Sequence, residues 1–192
     1  MTPADDDLIV ALRPVVDALR KLGVRHYVGG SVASSFHGAS RSTMDVDLVC
    51  ELTVADVVEF TEFIGTSFYA SEAAIRDAIR RQSCFNLIHL PTSFKVDLFI
   101  SRGRPFDLDA MERATTQQLG EAVSVEVPVA AIEDSIISKL EWFRLSNETS
   151  ERQWNDVTRL VDLAGDTLDS EYLIQAATSV GVADLLARLM TK

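Results

Sequence analysis

A chain of 192 residues with 47% hydrophobic content is long enough for one domain with a real core, or for one domain with a small appendage. Its net charge of −11 argues against an extended nucleic-acid surface, because proteins that hold a long polyanion usually have a basic face. No apolar run approaches the ~18 residues of a membrane span, and the acidic start lacks the basic residues of a signal peptide. We therefore expect a cytoplasmic protein with no membrane partner.

Hydrophobic periodicity predicts helices and strands that alternate along the first part of the chain. In chain order these are a helix at 8–22, a strand at 24–28, a short helix at 31–36, a strand at 45–50, helices at 53–64 and 71–81, hairpin strands at 84–90 and 94–100, a loop at 102–105 and a strand at 121–127.

After Pro128 the pattern is helical only, with helices predicted at 129–145, 150–163, 170–179 and 182–190. Strands mixed with helices, followed by helices alone, predict an α+β fold with a helical C-terminal part. We expect the division to fall between a domain over residues 1–128 and a helical subdomain over residues 129–192.

Two aspartates one residue apart occur in the predicted strand at 45–50. Asp45 and Asp47 share one face of that strand, because side chains alternate. Acids are disfavoured in strands and costly to bury, and the flanking apolar residues predict a largely buried strand. The pair therefore needs a compensating partner such as a metal ion. The alternative is a solvated strand end with two exposed acids.

A third acid, Asp97, lies in the predicted strand at 94–100. If this strand pairs beside the one that carries Asp45 and Asp47, three carboxylates converge. Three oxygen ligands suit two magnesium ions, which bind substrate phosphates and clamp both oxygens of a phosphoryl displacement. The alternative for Asp97 alone is a salt bridge with a core arginine.

A small turn, Gly29-Gly30-Ser31, follows the predicted strand at 24–28 and precedes the aspartate pair. Glycines let backbone N–H groups approach phosphate oxygens, and the start of the following helix adds a favourable dipole. Ser31 could donate a hydroxyl hydrogen bond. The turn by itself is a common one. Its position after a strand and before the aspartate pair is what indicates phosphate binding.

Together these residues resemble the nucleotidyltransferase superfamily, which has the DNA polymerase β-like fold. The finer pattern Gly-Gly-x-Ala, His-Gly, Arg-x-Thr-x-Asp-x-Asp is similar to the AbiE-type toxin and minimal nucleotidyltransferase branch. The matching residues are Gly29, Gly30, Ala33, His37, Gly38, Arg41, Thr43, Asp45 and Asp47. The segments at 139–144 and 150–157 also look like this branch.

The resemblance implies a mixed sheet flanked by helices, whose N-terminal domain transfers a nucleoside monophosphate from a nucleoside triphosphate such as ATP. The acceptor would be a hydroxyl of a protein, a tRNA end or a small molecule. Asp45, Asp47 and Asp97 would hold two Mg²⁺ ions, and Asp97 would help to deprotonate the acceptor. The nucleotide would be bound by Gly29, Gly30, Ser31, Arg41, Thr43 and Lys139. A toxin role with an antitoxin partner is implied by the resemblance alone.

Lys139 lies within the apolar stripe of the predicted helix at 129–145. A lysine there must either extend outward to water or meet an anion. A triphosphate in a cleft between the two parts of the chain would be such an anion. The pattern leaves both interpretations open, and the resemblance favours phosphate binding.

Four further side chains are assigned less specific roles. Arg41 either contacts phosphate or pairs with an acid of its own chain, with equal weight. Asp156 faces either the cleft or water, with water favoured. Trp142 and Trp154 are expected to pack in the core or between helices rather than to stack on a base.

Two other classes of function are kept as alternatives to a magnesium-dependent nucleotidyltransferase. The first is a non-catalytic nucleotide-binding regulatory module, which would bind a nucleoside triphosphate without releasing pyrophosphate. The second is a metal-dependent phosphohydrolase or nuclease, which shares the carboxylates but has less need of the glycine turn and Lys139. With water as the acceptor, its product would be a free nucleoside monophosphate.

Overall fold

The computed structural model describes residues 3–39, 45–120 and 123–191. Within them the helices are α1 (Pro3–Lys21), α2 (Gly30–Phe36), α3 (Val57–Ile64), α4 (Glu72–Arg81), α5 (Pro105–Arg113), α6 (Ile132–Leu145), α7 (Glu151–Ala164), α8 (Ser170–Val180) and α9 (Ala183–Met190). The strands are β1 (His26–Val28), β2 (Asp45–Cys50), β3 (Phe68–Tyr69), β4 (Cys84–His89), β5 (Lys95–Ile100), β6 (Thr115–Leu119) and β7 (Val125–Val129). None of the described helices is both long and apolar enough to cross a membrane.

The strands form a single mixed sheet in the order β3-β4-β5-β2-β1-β7-β6. The pairs β2–β5 and β1–β7 are parallel, and the other neighbours are antiparallel. Helices flank the sheet, and those after β7 pack on one another through α6, which contacts both α7 and α8. The α+β class and the mixed sheet flanked by helices are confirmed.

The alternation of β2 and β5 separates a core face from an open face. Val46 and Leu48 of β2, like Val96 and Leu98 of β5, are fully buried. Helix α1 contacts both of these strands and α3, so it covers the core face. The residues between the buried ones are half-buried and point to the opposite face, where the aspartates lie.

A polar network fastens α6 to its neighbours. Arg113, the last residue of α5, lies 2.7 Å from the Glu133 carboxylate and 3.1 Å from that of Asp134. Its guanidinium also lies over the ring of Tyr172 in α8, whose hydroxyl donates to Asp134. Glu133 accepts the backbone N–H of Asp169 at 3.1 Å. Because both buried acids are paired and hydrogen-bonded, this network can hold the helix that forms one wall of the site.

Several elements differ from the predictions. Strand β3 has two residues, too few for a periodic signal, and β6 has mostly exposed polar side chains, so neither alternates visibly. Helix α5 was not predicted, although Pro105 at its first position and Asp107, which accepts from the Arg104 N–H, mark its start. The predicted loop at 102–105 therefore runs into a helix.

The boundary after the sheet is also shifted. The strand predicted at 121–127 is β7, which ends at Val129, and residues 121 and 122 lie outside the described part of the chain. Helix α6 begins at Ile132 rather than at residue 129, because residues up to 129 are still paired with β1 and β6. Hydrophobic β-branched residues suit both elements, so periodicity alone could not divide them.

His26 at the start of β1 is a buried histidine with half of its ring unsatisfied. Its Nδ1 donates to the Val24 carbonyl at 2.8 Å, whereas Nε2 is buried without a partner among the described residues. Burial is the largest cause that lowers the pKa of His26, since it disfavours the charged ring. The folded protein therefore holds this side chain neutral.

We expect His26 to make the protein sensitive to acid. As the pH falls below about 6.5, unfolded chains take up a proton that the folded state resists, so the free energy of unfolding falls by up to about 1.4 kcal/mol per pH unit. His26→Gln should lose this contribution. Urea unfolding of both proteins at pH 7.5 and pH 5 measures the difference, and equal losses of stability would contradict the assignment.

Candidate functional site

The register of two parallel strands brings the acids together. Asp47 of β2 lies directly opposite Asp97 of β5, and Asp45 lies opposite Lys95. All four side chains share the open face of the sheet, because they are two residues apart on their strands. The three aspartates therefore lie on neighbouring strands with their side chains on one face of the sheet, and a lysine lies among them.

The surroundings of Asp47 shift its pKa. Burial, followed by the charges of Asp45 and Asp97, raises the pKa of Asp47 to about 6. Lys139 and a hydrogen bond from the Ser31 backbone N–H act in the opposite direction. The ionised carboxylate is thus held where more positive charge would stabilise it.

The glycine turn packs directly on this carboxylate. Gly30 has φ +55°, and a Cβ built there would lie 1.7 Å from Asp47 Oδ2. The Gly29 N–H donates to the Asp47 carbonyl at 2.9 Å. The turn therefore holds both the backbone and the side chain of Asp47, and only glycine has the shape and the conformational freedom for this approach.

Asp97 carries a partner that was not predicted. The Lys95 ammonium lies 2.7 Å from Asp97 Oδ2, with side-chain exposures of 42% for the lysine and 16% for the acid. Asp97 therefore forms a salt bridge, as the alternative expected, but its partner is a lysine and not a core arginine. Because Lys95 is two residues before Asp97 in a strand, the alternation could have revealed it.

The grouping of the acids determines whether they could hold a divalent cation. Within residues 3–39, 45–120 and 123–191, no three histidine, cysteine, aspartate or glutamate side chains are grouped so that they could hold a metal ion. Asp45 and Asp47 nevertheless offer the oxygen ligands that Mg²⁺ prefers, in a place where burial and the neighbouring acids raise the pKa of Asp47. The pair offers two carboxylate ligands for a cation, whereas Asp97 is paired with Lys95.

A cleft of about 710 Å³ opens above the aspartates, a size typical of small-molecule sites. Its floor is the open face of the sheet with Asp45, Asp47 and the glycine turn, and its far wall is formed by α6 and the start of α7. Asp97 is not among the residues that line it. The cleft thus joins the acids and the turn to Lys139.

Lys139 is buried and lies in the wall of the cleft, on α6. Its ammonium lies 2.9 Å from Asp156 Oδ2 of α7. The lysine therefore neither extends outward to water nor stands without an anion. The preference for Asp156 facing water was wrong, because its carboxylate points at Lys139 inside the cleft.

Two arginines after strand β5 form ion pairs with a glutamate of α6. Glu141 accepts from Arg104 at 2.6 Å and from Arg102 at 3.2 Å, and Arg104 also binds Asp107 in α5. All four residues follow strand β5 or lie on α6, at the mouth of the cleft. These contacts were not predicted, since Glu141 reads as an ordinary surface acid of a helix.

The two tryptophans have different environments. Trp154 packs on Phe143, with ring centroids 5.1 Å apart, as expected for interhelix packing. Trp142 is 47% exposed and lines the cleft, with the ring of Phe99 edge-on at 5.8 Å. The packing interpretation was therefore wrong for Trp142.

Arg41 and Thr43, the remaining predicted nucleotide-binding residues, lie outside the described part of the chain. His37 has a structural role, since its Nε2 lies 2.8 Å from the Ala130 carbonyl and joins α2 to the segment before α6.

Comparison with known proteins gives structural matches only. The crystal structure of ANT(2″)-Ia in complex with adenylyl-2″-tobramycin is similar over 90% of this chain and 95% of its own, with 12% identity and a TM-score of 0.53. The crystal structure of an antigenic nucleotidyltransferase-like protein from Paracoccidioides brasiliensis is similar over 97% of this chain and 94% of its own, with 14% identity and a TM-score of 0.50. No protein-family model and no curated protein matches the sequence.

Identities this low carry information on the fold and not on the reaction. The mixed sheet, the flanking helices and the coverage of nearly the whole chain agree with the family implied by the sequence motifs. The chain has the nucleotidyltransferase fold.

Proposed function

We propose that this protein is a nucleotidyltransferase that moves a nucleoside monophosphate from a nucleoside triphosphate to a hydroxyl acceptor. The observation that carries the proposal is the contact between Gly30 and Asp47. A turn that suits phosphates is fixed against a carboxylate of raised pKa, in a cleft that also contains a lysine. Clustered acids do not stabilise the folded sheet, so their presence indicates a function.

The roles of the residues follow from charge and position. The turn 29–31 and Lys139 would bind the triphosphate and align it, and Arg41 and Thr43 are proposed as further ligands of the phosphates. Asp97 would take the proton of the acceptor hydroxyl. The hydroxyl oxygen then forms a bond to the α-phosphorus, the bond from that phosphorus to the β-phosphate oxygen breaks, and pyrophosphate leaves.

Asp45, Asp47 and Asp97 are the residues that would hold magnesium, two ions in our proposal. When bound, the metal would neutralise charge on the phosphates and on the leaving group. Lys95 would have to release Asp97 for the third ligand to become available, and its 42% exposure leaves it room to do so. Asp97 is only 16% exposed, so the metal ion would have to replace the charge of Lys95 beside it.

The acceptor is proposed as a class. A protein hydroxyl, a tRNA end and a small molecule all supply the required nucleophile. The net charge of −11 disfavours a long RNA, although the end of a tRNA needs only a local patch. The neighbour whose structure contains adenylyl-2″-tobramycin makes small-molecule hydroxyls a sensible first set to test.

The finer expectations from the sequence remain predictions. They include the AbiE-type branch, a toxin role with an antitoxin partner, a cytoplasmic location and the domain division after residue 128. A nucleotide-binding regulatory module stays the main alternative, since it would keep the cleft and the turn without chemistry. A phosphohydrolase would release free nucleoside monophosphate in place of a labelled acceptor.

We expect Asp47→Asn to reduce pyrophosphate release from a nucleoside triphosphate, Mg²⁺ and cell extract by at least about 100-fold, because a metal ligand loses its charge. The metal-free variant should be at least as stable as the wild-type protein at pH 7.5, since burial and the neighbouring acids disfavour the ionised carboxylate. Thermal unfolding measures this control. Full activity in the variant would remove Asp47 from the site.

Two glycines with a positive φ provide a test of the turn. Gly30 and Gly65 have φ +55° and +66°, but a Cβ at Gly30 meets Asp47 whereas one at Gly65 meets nothing within 4 Å. Both alanine variants should lose at least about 1 kcal/mol of stability because alanine disfavours a positive φ, and Gly30→Ala should lose more because its Cβ overlaps the Asp47 side chain. Only Gly30→Ala should also lose nucleotidyl transfer, by about 100-fold or more. Equal activities would refute the role of the turn.

Lys139 is tested with a variant that removes its charge and keeps its length. Lys139→Met should weaken binding of the triphosphate by about 10-fold to 100-fold, as expected for lost charge-assisted hydrogen bonds. Asp156→Asn is the control, because it keeps the lysine and a hydrogen-bond acceptor beside it. Calorimetric titration of nucleotide into each protein measures affinity. Unchanged affinity in Lys139→Met would assign the lysine to structure alone.

A further inference from the structure

One face of α6 presents a stripe of side chains to the cleft. Ser135, Lys139 and Trp142 lie at helical spacing on this face and all line the cleft. Lys139 is the proposed phosphate ligand, and Trp142 is one turn closer to the end of the helix. A ligand anchored at Lys139 therefore reaches Trp142 next if it extends along α6.

Trp142, like Leu145, is an exposed apolar side chain that lines the cleft. It is 47% exposed, and its ring is braced edge-on by Phe99 of β5 at 72° and 5.8 Å. By contrast, Trp154 is packed between Phe143 and the guanidinium of Arg188. An aromatic ring fixed on one side and open on the other is suited to stack on a planar ligand.

The adjoining helix provides a polar group at the same level. Asp156 of α7 binds Lys139, and Gln153 is one turn nearer to the loop that joins the two helices. Gln153 lines the cleft, yet its Oε1 is buried and has no hydrogen-bond partner among the described residues. A buried acceptor left without a donor costs about 1–3 kcal/mol, so the fold alone gives no reason for it.

We propose that Trp142 and Gln153 form the nucleobase subsite of this protein and that the site selects bases with an amino group beside a ring nitrogen, as in adenine and cytosine. The inference rests on the proposed nucleotidyltransferase function and adds its specificity. The base stacks on Trp142. A rotation of the Gln153 side chain brings its amide into the cleft that the residue already lines.

The amide of Gln153 matches the amino-bearing edge of a base. Its Oε1 accepts a hydrogen bond from the exocyclic amino group, and its Nε2 donates to the neighbouring ring nitrogen. In DNA recognition glutamine likewise binds the adenine amino group together with a ring nitrogen, there N7. Uracil and hypoxanthine present a keto group and a ring N–H in these positions, so they would lose this pairing. They could regain it only if the Gln153 amide flipped, which would change the hydrogen bonds of the amide with the protein.

The subsite is tested with nucleotides that differ at this edge alone. The dissociation constants of ATP and ITP, and of CTP and UTP, are measured by calorimetry with the wild-type protein in the presence of Mg²⁺. In a pair that binds, we expect the nucleotide with the amino group, ATP or CTP, to have a dissociation constant about 5-fold to 100-fold lower than its partner. Equal binding within both pairs would overturn the proposed selectivity.

Three variants separate stacking from edge recognition. Trp142→Leu should weaken both members of the pair by about 5-fold or more, because the base loses its stacking surface. Gln153→Leu should bring the ratio within the pair close to one. Tyr69→Leu is the control, since Tyr69 is an aromatic residue 62% exposed on β3 and outside the cleft lining, and it should change nothing.

The outcomes distinguish this inference from the function on which it rests. If the wild-type protein binds none of the four nucleotides, the proposed nucleotidyltransferase function fails. If it binds them while Trp142→Leu and Gln153→Leu behave like Tyr69→Leu, the nucleotide site stands and the subsite at Trp142 and Gln153 is refuted.

Discussion

The organisation of this protein depends on the close approach of negative charges across two parallel strands. Asp47 lies opposite Asp97 and two residues from Asp45, and its carboxylate fills the space that a Cβ at Gly30 would occupy. A pKa raised from 3.8 to about 6 corresponds to roughly 3 kcal/mol of unfavourable free energy for the ionised form. The fold tolerates this because the opposite face of the same strands is a fully buried core.

Neighbouring positive charges partly compensate the negative charge of these acids. Lys95 binds Asp97, and the charge of Lys139 lowers the pKa of Asp47 from the far wall of the cleft. Lys139 is itself held by Asp156, and α6, which carries it, is fastened by Arg104 and Arg113. The site is thus shared between the sheet and the C-terminal helices, so the position of α6 determines the distance between the acids and the lysine.

Much of this arrangement could be predicted from the sequence. Alternation in β2 placed Asp45 and Asp47 on one face, and the later strand placed Asp97 beside them once the two strands were assumed to be neighbours. The pairing partners could not be predicted, because Lys95 with Asp97 and Lys139 with Asp156 depend on the register and on helix packing. The exposure of Trp142 was missed for the same reason, since a helical stripe does not reveal which of its members a neighbour covers.

The central claim is that an α-phosphorus is transferred from a nucleoside triphosphate to an acceptor. The most direct measurement incubates the protein and Mg²⁺ with each of the four triphosphates, labelled at the α- or the γ-phosphate, together with cell extract. We predict that α-label becomes attached to an acceptor of the extract while γ-label leaves as pyrophosphate. Free labelled nucleoside monophosphate with no labelled acceptor, or γ-label on the acceptor, would contradict the account.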